Sequence, residues 1–223
     1  MIWVLLPKIS LLFFLLLSSY HFGQSQFVHY IKKQDLVAKG AYMSWGVCII
    51  SGLLLLNFNN LEILTEMTSS FQYLTNPIYQ RMLELSFGSS LFFLLITMII
   101  LLKQNRISLE KVFLESIILM VILLSFKIFS PLVGFTLYFV ILHSIKVLEE
   151  EFTYLKSENL VRNILNFIKL LLPFSLLSIF GIFFIFALIY FQFIPFTYGF
   201  AFLIVISSIT MPHAVVMQRF YGA

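Results

Sequence analysis

Charge is what this chain has least of. Only 11% of its 223 residues are Asp, Glu, Lys or Arg, about half the share of an ordinary soluble domain, so a water-facing surface cannot be assembled from them. A single cysteine, Cys48, excludes an internal disulfide and, set in an apolar run, reads as a packed thiol rather than a redox centre. The short signatures of soluble chemistry are missing as well: there is no GxSxG, P-loop, GxGxxG or CxxC. The two last apolar runs hold no lysine beyond Lys169 at their edge, which excludes an opsin-type Schiff base. Four histidines, none in HxxxH or HxxHH clusters, are too few for a histidine-box desaturase or hydroxylase.

What is present is 61% hydrophobic and rich in Phe, of which there are 27. Residues 170–218 run for 49 positions without one Asp, Glu, Lys or Arg, enough for two bilayer crossings of roughly 20 residues each. The fold class is therefore all-α, a polytopic membrane bundle of about seven transmembrane helices forming one domain over residues 1–223. The seven apolar runs are Ile9 to Phe22, Ala41 to Phe58, Met82 to Leu102, Val112 to Phe129, Leu132 to Leu148, Leu170 to Phe191 and Phe196 to Met217. Pro131 and Pro195 separate two hairpins, because proline cannot continue a helix's hydrogen-bond ladder. Ser25 to Lys39, Asn59 to Arg81, Lys103 to Lys111 and Glu149 to Arg162 are polar and read as loops. The Glu149 to Glu151 triplet reads as a solvated helix end. No GxxxG pattern marks a packing face.

Cationic loops stay in the cytoplasm. With the N-terminus outside, 11 of the 14 Lys and Arg residues fall on the inner side and only Lys8, Arg81 and Lys127 outside. The C-terminus is then cytoplasmic and the chain a multi-pass protein of the cell membrane. The net charge of +4 is explained by this topology, and no nucleic-acid partner is inferred from it.

Ionisable side chains at membrane depth are costly and point to a site. His21, His143 and His213 each lie near the inner end of an outward-to-inward span, three to eleven residues before the first inner-side charge, or about 5 to 16 Å along a helix. Each alone reads as a core histidine. Three at one depth read as a metal-binding set, since neutral imidazoles serve zinc, copper and non-haem iron and leave positions open for other ligands. Glu115 reaches the same level and is read either as the acceptor for the other N–H of a ligating histidine or as a first-turn residue favoured by the helix dipole. Glu84 lies near the outer end of its span, and His29 reads as a solvated loop residue. A seven-span subunit or transporter with a histidine proton or metal site is the alternative, as is another membrane oxidoreductase or lipid hydrolase. Polar residues crowd the inner edge rather than the midplane, which weighs against a transporter.

Three stretches stand in one order along the chain: Ser19-Tyr20-His21-Phe22-Gly23, Leu137-Tyr138-Phe139-Val140-Ile141-Leu142-His143-Ser144 and Thr210-Met211-Pro212-His213. Together they resemble the integral-membrane β-carotene 15,15′-dioxygenases of bacteria and archaea, the bacteriorhodopsin-related-protein-like (Brp/Blh) family. The resemblance covers nearly the whole chain. It implies an enzyme that splits the central double bond of β-carotene with O2 into two retinals, using ferrous iron, Fe(2+), held by His21, His143 and His213. It further implies that the retinal passes to a rhodopsin-type protein. Tyr20, Phe22, Tyr138 and Phe139, which flank the proposed ligands, are expected to stack on the polyene, and Pro212 to break the helix ladder beside His213. Family members carry a His-Gly-x-x-Asp motif in a helix ahead of His-Phe-Gly, so an additional N-terminal helix is expected before residue 1. They also carry a second histidine one turn after His-Ser, where this chain has Val147, and an acid soon after His-Phe-Gly, where it has Gln24-Ser25-Gln26.

Overall fold

A computed structural model of the chain describes residues 5–31, 33–60, 76–194 and 198–222. Among them there is no strand, and seven helices match the seven apolar runs: α1 (Pro7–Phe27), α2 (Leu36–Leu56), α3 (Pro77–Lys103), α4 (Leu109–Ile128), α5 (Pro131–Ser157), α6 (Ile164–Tyr190) and α7 (Tyr198–Gly222). A 3-10 turn at Phe58–Asn60 follows α2, and α5 contains a π-helical segment, Tyr138–Ser144. By length and composition α2, α3, α5 and α6 can each cross a membrane. The others are more polar or shorter in their apolar part: α1 ends in Gln24 and Gln26, α4 carries Glu110, Lys111, Glu115 and Lys127, and the apolar stretch of α7 is Ile204–Met217.

The helices extend beyond the apolar runs because polar residues cap them. Asp35 accepts from the backbone N–H of Val37 and Ala38, each at 3.1 Å, so α2 starts at Leu36 and takes in Lys39. Asn76 accepts from Ile78 N at 3.0 Å with Pro77 next, which draws Arg81 into α3. Ser108 and Asn163 open α4 and α6 in the same way. These residues satisfy amide donors that the first helical turn leaves without partners. Asn105, Asn159 and Gln192 adopt φ of 54°, 59° and 60° and stop α3, α5 and α6. At each stop the next amide reaches back five residues, as in Arg106 N to Leu101 O at 3.0 Å. The Glu149 to Glu151 triplet lies inside α5, not in a loop. Pro131 opens α5 directly after Ser130, whereas Pro195, Lys32 and residues 61–75 of the Asn59 to Arg81 loop lie outside the described residues.

Helix α2 is central, in contact with α1, α3, α4 and α5. Its seam with α1 brings backbone against backbone. A methyl group on Gly23 would collide with the carbonyl of Tyr42, and one on Gly46 with the carbonyl of Ser19. Backbone lies on backbone there, as small residues allow in membrane bundles. The sequence shows no GxxxG, yet Ser19 and Gly23, four residues apart on α1, meet Gly46 and Tyr42, four residues apart on α2, across the seam.

The solvent relation is inverted. Large apolar side chains cover the outside, with Phe174, Leu177, Phe180 and Phe183 of α6 each at least 66% exposed, while Ser18, Ser19, His21, Gln24, Ser25, Asn57, Glu115 and His143 are buried. Apolar cover of that extent belongs against lipid. Among the buried polar groups, Asn57 donates to both Leu53 O and Phe126 O at 3.0 Å and ties α2 to α4.

Candidate functional site

One turn of α1 carries the first histidine. His21 is 1% exposed, held at that depth by the Gly23–Tyr42 contact two residues on. Neither of its ring nitrogens has a hydrogen-bond partner among the described residues. A buried imidazole with both nitrogens unanswered forfeits the interactions it would make in water, so an additional ligand at this position would repair a real deficit.

The second histidine depends on the π-helical segment. In an α-helix, residues five apart are turned about 140° from one another. In α5 the buried positions are Gly134, Tyr138, His143 and Val147, spaced four, five and four. The five-residue step coincides with the i→i+5 bonding of the π turn, which puts Tyr138 and His143 on one inward face. Nothing in the sequence signals this turn.

The third histidine, His213, is half-buried on α7, where Pro212 interrupts the ladder and α7 packs on α1. The His21 ring centroid lies 5.1 Å from that of His143 and 5.2 Å from that of His213, with interplanar angles of 86° and 88°. Three residues separated by up to 192 positions are thus brought to one place. The rings meet edge to face, and among the described residues no group of three His, Cys, Asp or Glu side chains is posed to hold a metal ion. A shared metal therefore requires the rings to turn from this packing. The chemistry of the donors suits one: three imidazoles, one with two unanswered nitrogens, on the wall of a cavity.

That cavity has a volume of about 350 Å³ and is bounded by all three histidines together with Phe139, Val147, Ile209 and Glu151. Phe22 and Phe139 cover His143, with centroids 4.9 and 5.4 Å from its ring. Tyr138 packs on Phe22 at 5.5 Å and on Phe126 at 6.3 Å, behind the histidine. Tyr20 faces away, edge-on to Tyr42 of α2 at 6.0 Å. Of the four flanking aromatics, Phe139 lines the cavity, Phe22 and Tyr138 support its wall, and Tyr20 belongs to the seam with α2.

Glu115 is buried, but its carboxylate engages Gln26 rather than a histidine: Gln26 Nε2 donates to Oε2 at 2.5 Å. Lys146 donates to Gln26 O at 2.9 Å and completes a polar cluster joining α1, α4 and α5. His29 pairs with Glu150 at 2.9 Å. The residue that does touch a site histidine is Ser25, whose Oγ lies 3.1 Å from His143 Nδ1 and 3.0 Å from Phe22 O. Sequence reasoning missed it because serine is common in membrane helices. Its signal is position, one turn after His21 on the same face of α1.

The fold and the site define a helical membrane protein with a histidine cluster on a partly open cavity. The chain belongs to the β-carotene 15,15′-dioxygenase family, whose model matches residues 1–221. No curated protein and no solved structure matches it.

Proposed function

We propose that this chain cleaves the central double bond of β-carotene with O2 to give two retinals, at a ferrous iron held by His21, His143 and His213. Membership of the family over residues 1–221 carries the reading. The convergence of the three rings on one cavity, with both nitrogens of His21 unpartnered, supports it. When bound, the iron supplies the oxygen chemistry. The protein's part is placement and dryness. Phe22 and Phe139 shield His143, and Phe139 and Ile209 offer apolar wall to a hydrocarbon. A polyene dissolves in lipid, so an enzyme for it gains from a site inside the bundle that the membrane side can reach. The charge pattern supports a site toward the cytoplasmic side of the cell membrane, and the product would suit a rhodopsin-type acceptor in the same bilayer.

Retinal formation in cells that make β-carotene tests the reading. The chain should yield retinal when iron and oxygen are supplied. His143→Ala should lower the yield by on the order of 100-fold or more, since loss of a ligand exceeds the 10- to 100-fold effect of losing a group that merely orients one. Persistence of β-carotene with no retinal, in membranes that contain the folded chain, would return the histidines to a packing role and favour a non-catalytic subunit.

A further inference from the structure

We propose that Ser25 is the positioning residue for His143, fixing its imidazole as the Nδ1–H tautomer so that Nε2 is the nitrogen offered to a metal; this rests on the metal-centre reading above. The hydroxyl has one hydrogen and two neighbours in reach, Phe22 O at 3.0 Å and His143 Nδ1 at 3.1 Å. A carbonyl oxygen can only accept. With the Ser25 hydrogen given to Phe22 O, Oγ can only accept from His143, and Nδ1 must carry the hydrogen. The opposite tautomer puts a hydrogen on Nε2, and among the described residues no hydrogen bond to that nitrogen is present to receive it. The His143 ring packs against those of Phe22, His21 and Phe139, with centroids 4.9, 5.1 and 5.4 Å away, and both partners of the Ser25 contact are buried, at 3% and 6% exposure.

The contact joins positions 118 residues apart, from α1 to α5. Ser25 is four residues after His21, so a single turn of α1 carries one proposed ligand and the group that sets the donor atom of another. Histidine ligands commonly donate their other ring N–H to an oxygen acceptor, which fixes ring and tautomer. In this chain that acceptor is a serine of the neighbouring helix, and Glu115 is engaged elsewhere.

The test uses the full chain in lipid nanodiscs, labelled with 15N at histidine and free of added metal. Long-range proton–nitrogen correlation at mildly alkaline pH reads the tautomer, with His143→Gln to assign the signal. Wild type and Ser25→Thr should show hydrogen on Nδ1, while Ser25→Ala should lose that signature. Titration with ferrous iron alone should then give an affinity about 10- to 100-fold weaker for Ser25→Ala, with Ser25→Thr restoring most of it. Hydrogen on Nε2 in the wild type overturns the proposal, a measurement that stands even if Ser25→Ala does not fold. An unchanged tautomer in folded Ser25→Ala overturns it equally. If the wild type shows Nδ1–H yet binds no ferrous iron, the tautomer assignment survives and the metal-centre reading is the one that fails.

Discussion

Arg106 does more at the inner end of the bundle than its place in a short loop announces. Its guanidinium meets Asp35 through two parallel bonds, Nη1 to Oδ2 at 2.9 Å and Nη2 to Oδ1 at 3.0 Å, and also donates to Lys33 O and Gln104 Oε1. Asp35 is at the same time the cap of α2, so one carboxylate closes a helix and joins two loops. Hydrogen bonding from Arg106, followed by that from Ala38 N–H, holds this carboxyl below the usual carboxylate range. A folded-state value below the unfolded one stabilises the fold at pH above the unfolded value, near 4, and the contribution fades as pH falls through the folded value. Thermal unfolding of the detergent-solubilised protein should therefore show the wild type losing its advantage over Asp35→Asn below about pH 4, with a constant gap between them at neutral pH. At this scale the sequence revealed what was rare: His21, His143 and His213 stood out because ionisable groups seldom enter apolar runs. It did not reveal the partners, because Ser25, Gln26 and Asp35 are ordinary residues whose meaning comes from what lies across the gap.

Helices were legible as apolar runs, yet their ends and seams were not, since hydrophobicity says nothing about caps, a π turn or the approach of two backbones. The α1–α2 seam shows what this omits. Gly23 follows His21 and Phe22 and lies against the Tyr42 carbonyl, while Gly46 lies against Ser19. Any side chain at either position must push the helices apart, and His21 moves with α1. Gly23→Ala should destabilise the protein by about 1–3 kcal/mol, the usual cost of overpacking, or several degrees in thermal unfolding for a chain of this size. It should also reduce retinal formation. Gly181→Ala on α6, where an added methyl meets nothing within 4 Å, should leave the unfolding temperature unchanged or slightly higher, because alanine favours a helix. Equal losses at both glycines would show that close approach at the seam is not what Gly23 supplies.

For the molecule as a whole, packing sorts the loops into two ends. Arg106 binds Lys33 and Asp35, bringing the α1–α2 and α3–α4 loops together, and the His29–Glu150 pair adds the far end of α5. Asn57 on Phe126 O assembles the opposite end from α2 and α4. The proposed orientation follows from charge: the first end carries 11 of the 14 cationic residues and is expected in the cytoplasm, where such loops are retained. All three site histidines then lie toward that side of the membrane. Cysteine labelling decides the matter with little engineering, because the native Cys48 is fully buried. Gln104 and Ser130 are exposed residues at opposite ends. In intact cells an impermeant maleimide should modify Ser130→Cys and spare Gln104→Cys, and permeabilised cells should give modification of both. Labelling of Gln104→Cys from outside would invert the bundle and carry the histidine cavity to the outer half of the bilayer. The family membership and the packing would remain, and the proposed cleavage would then take place near the outer leaflet.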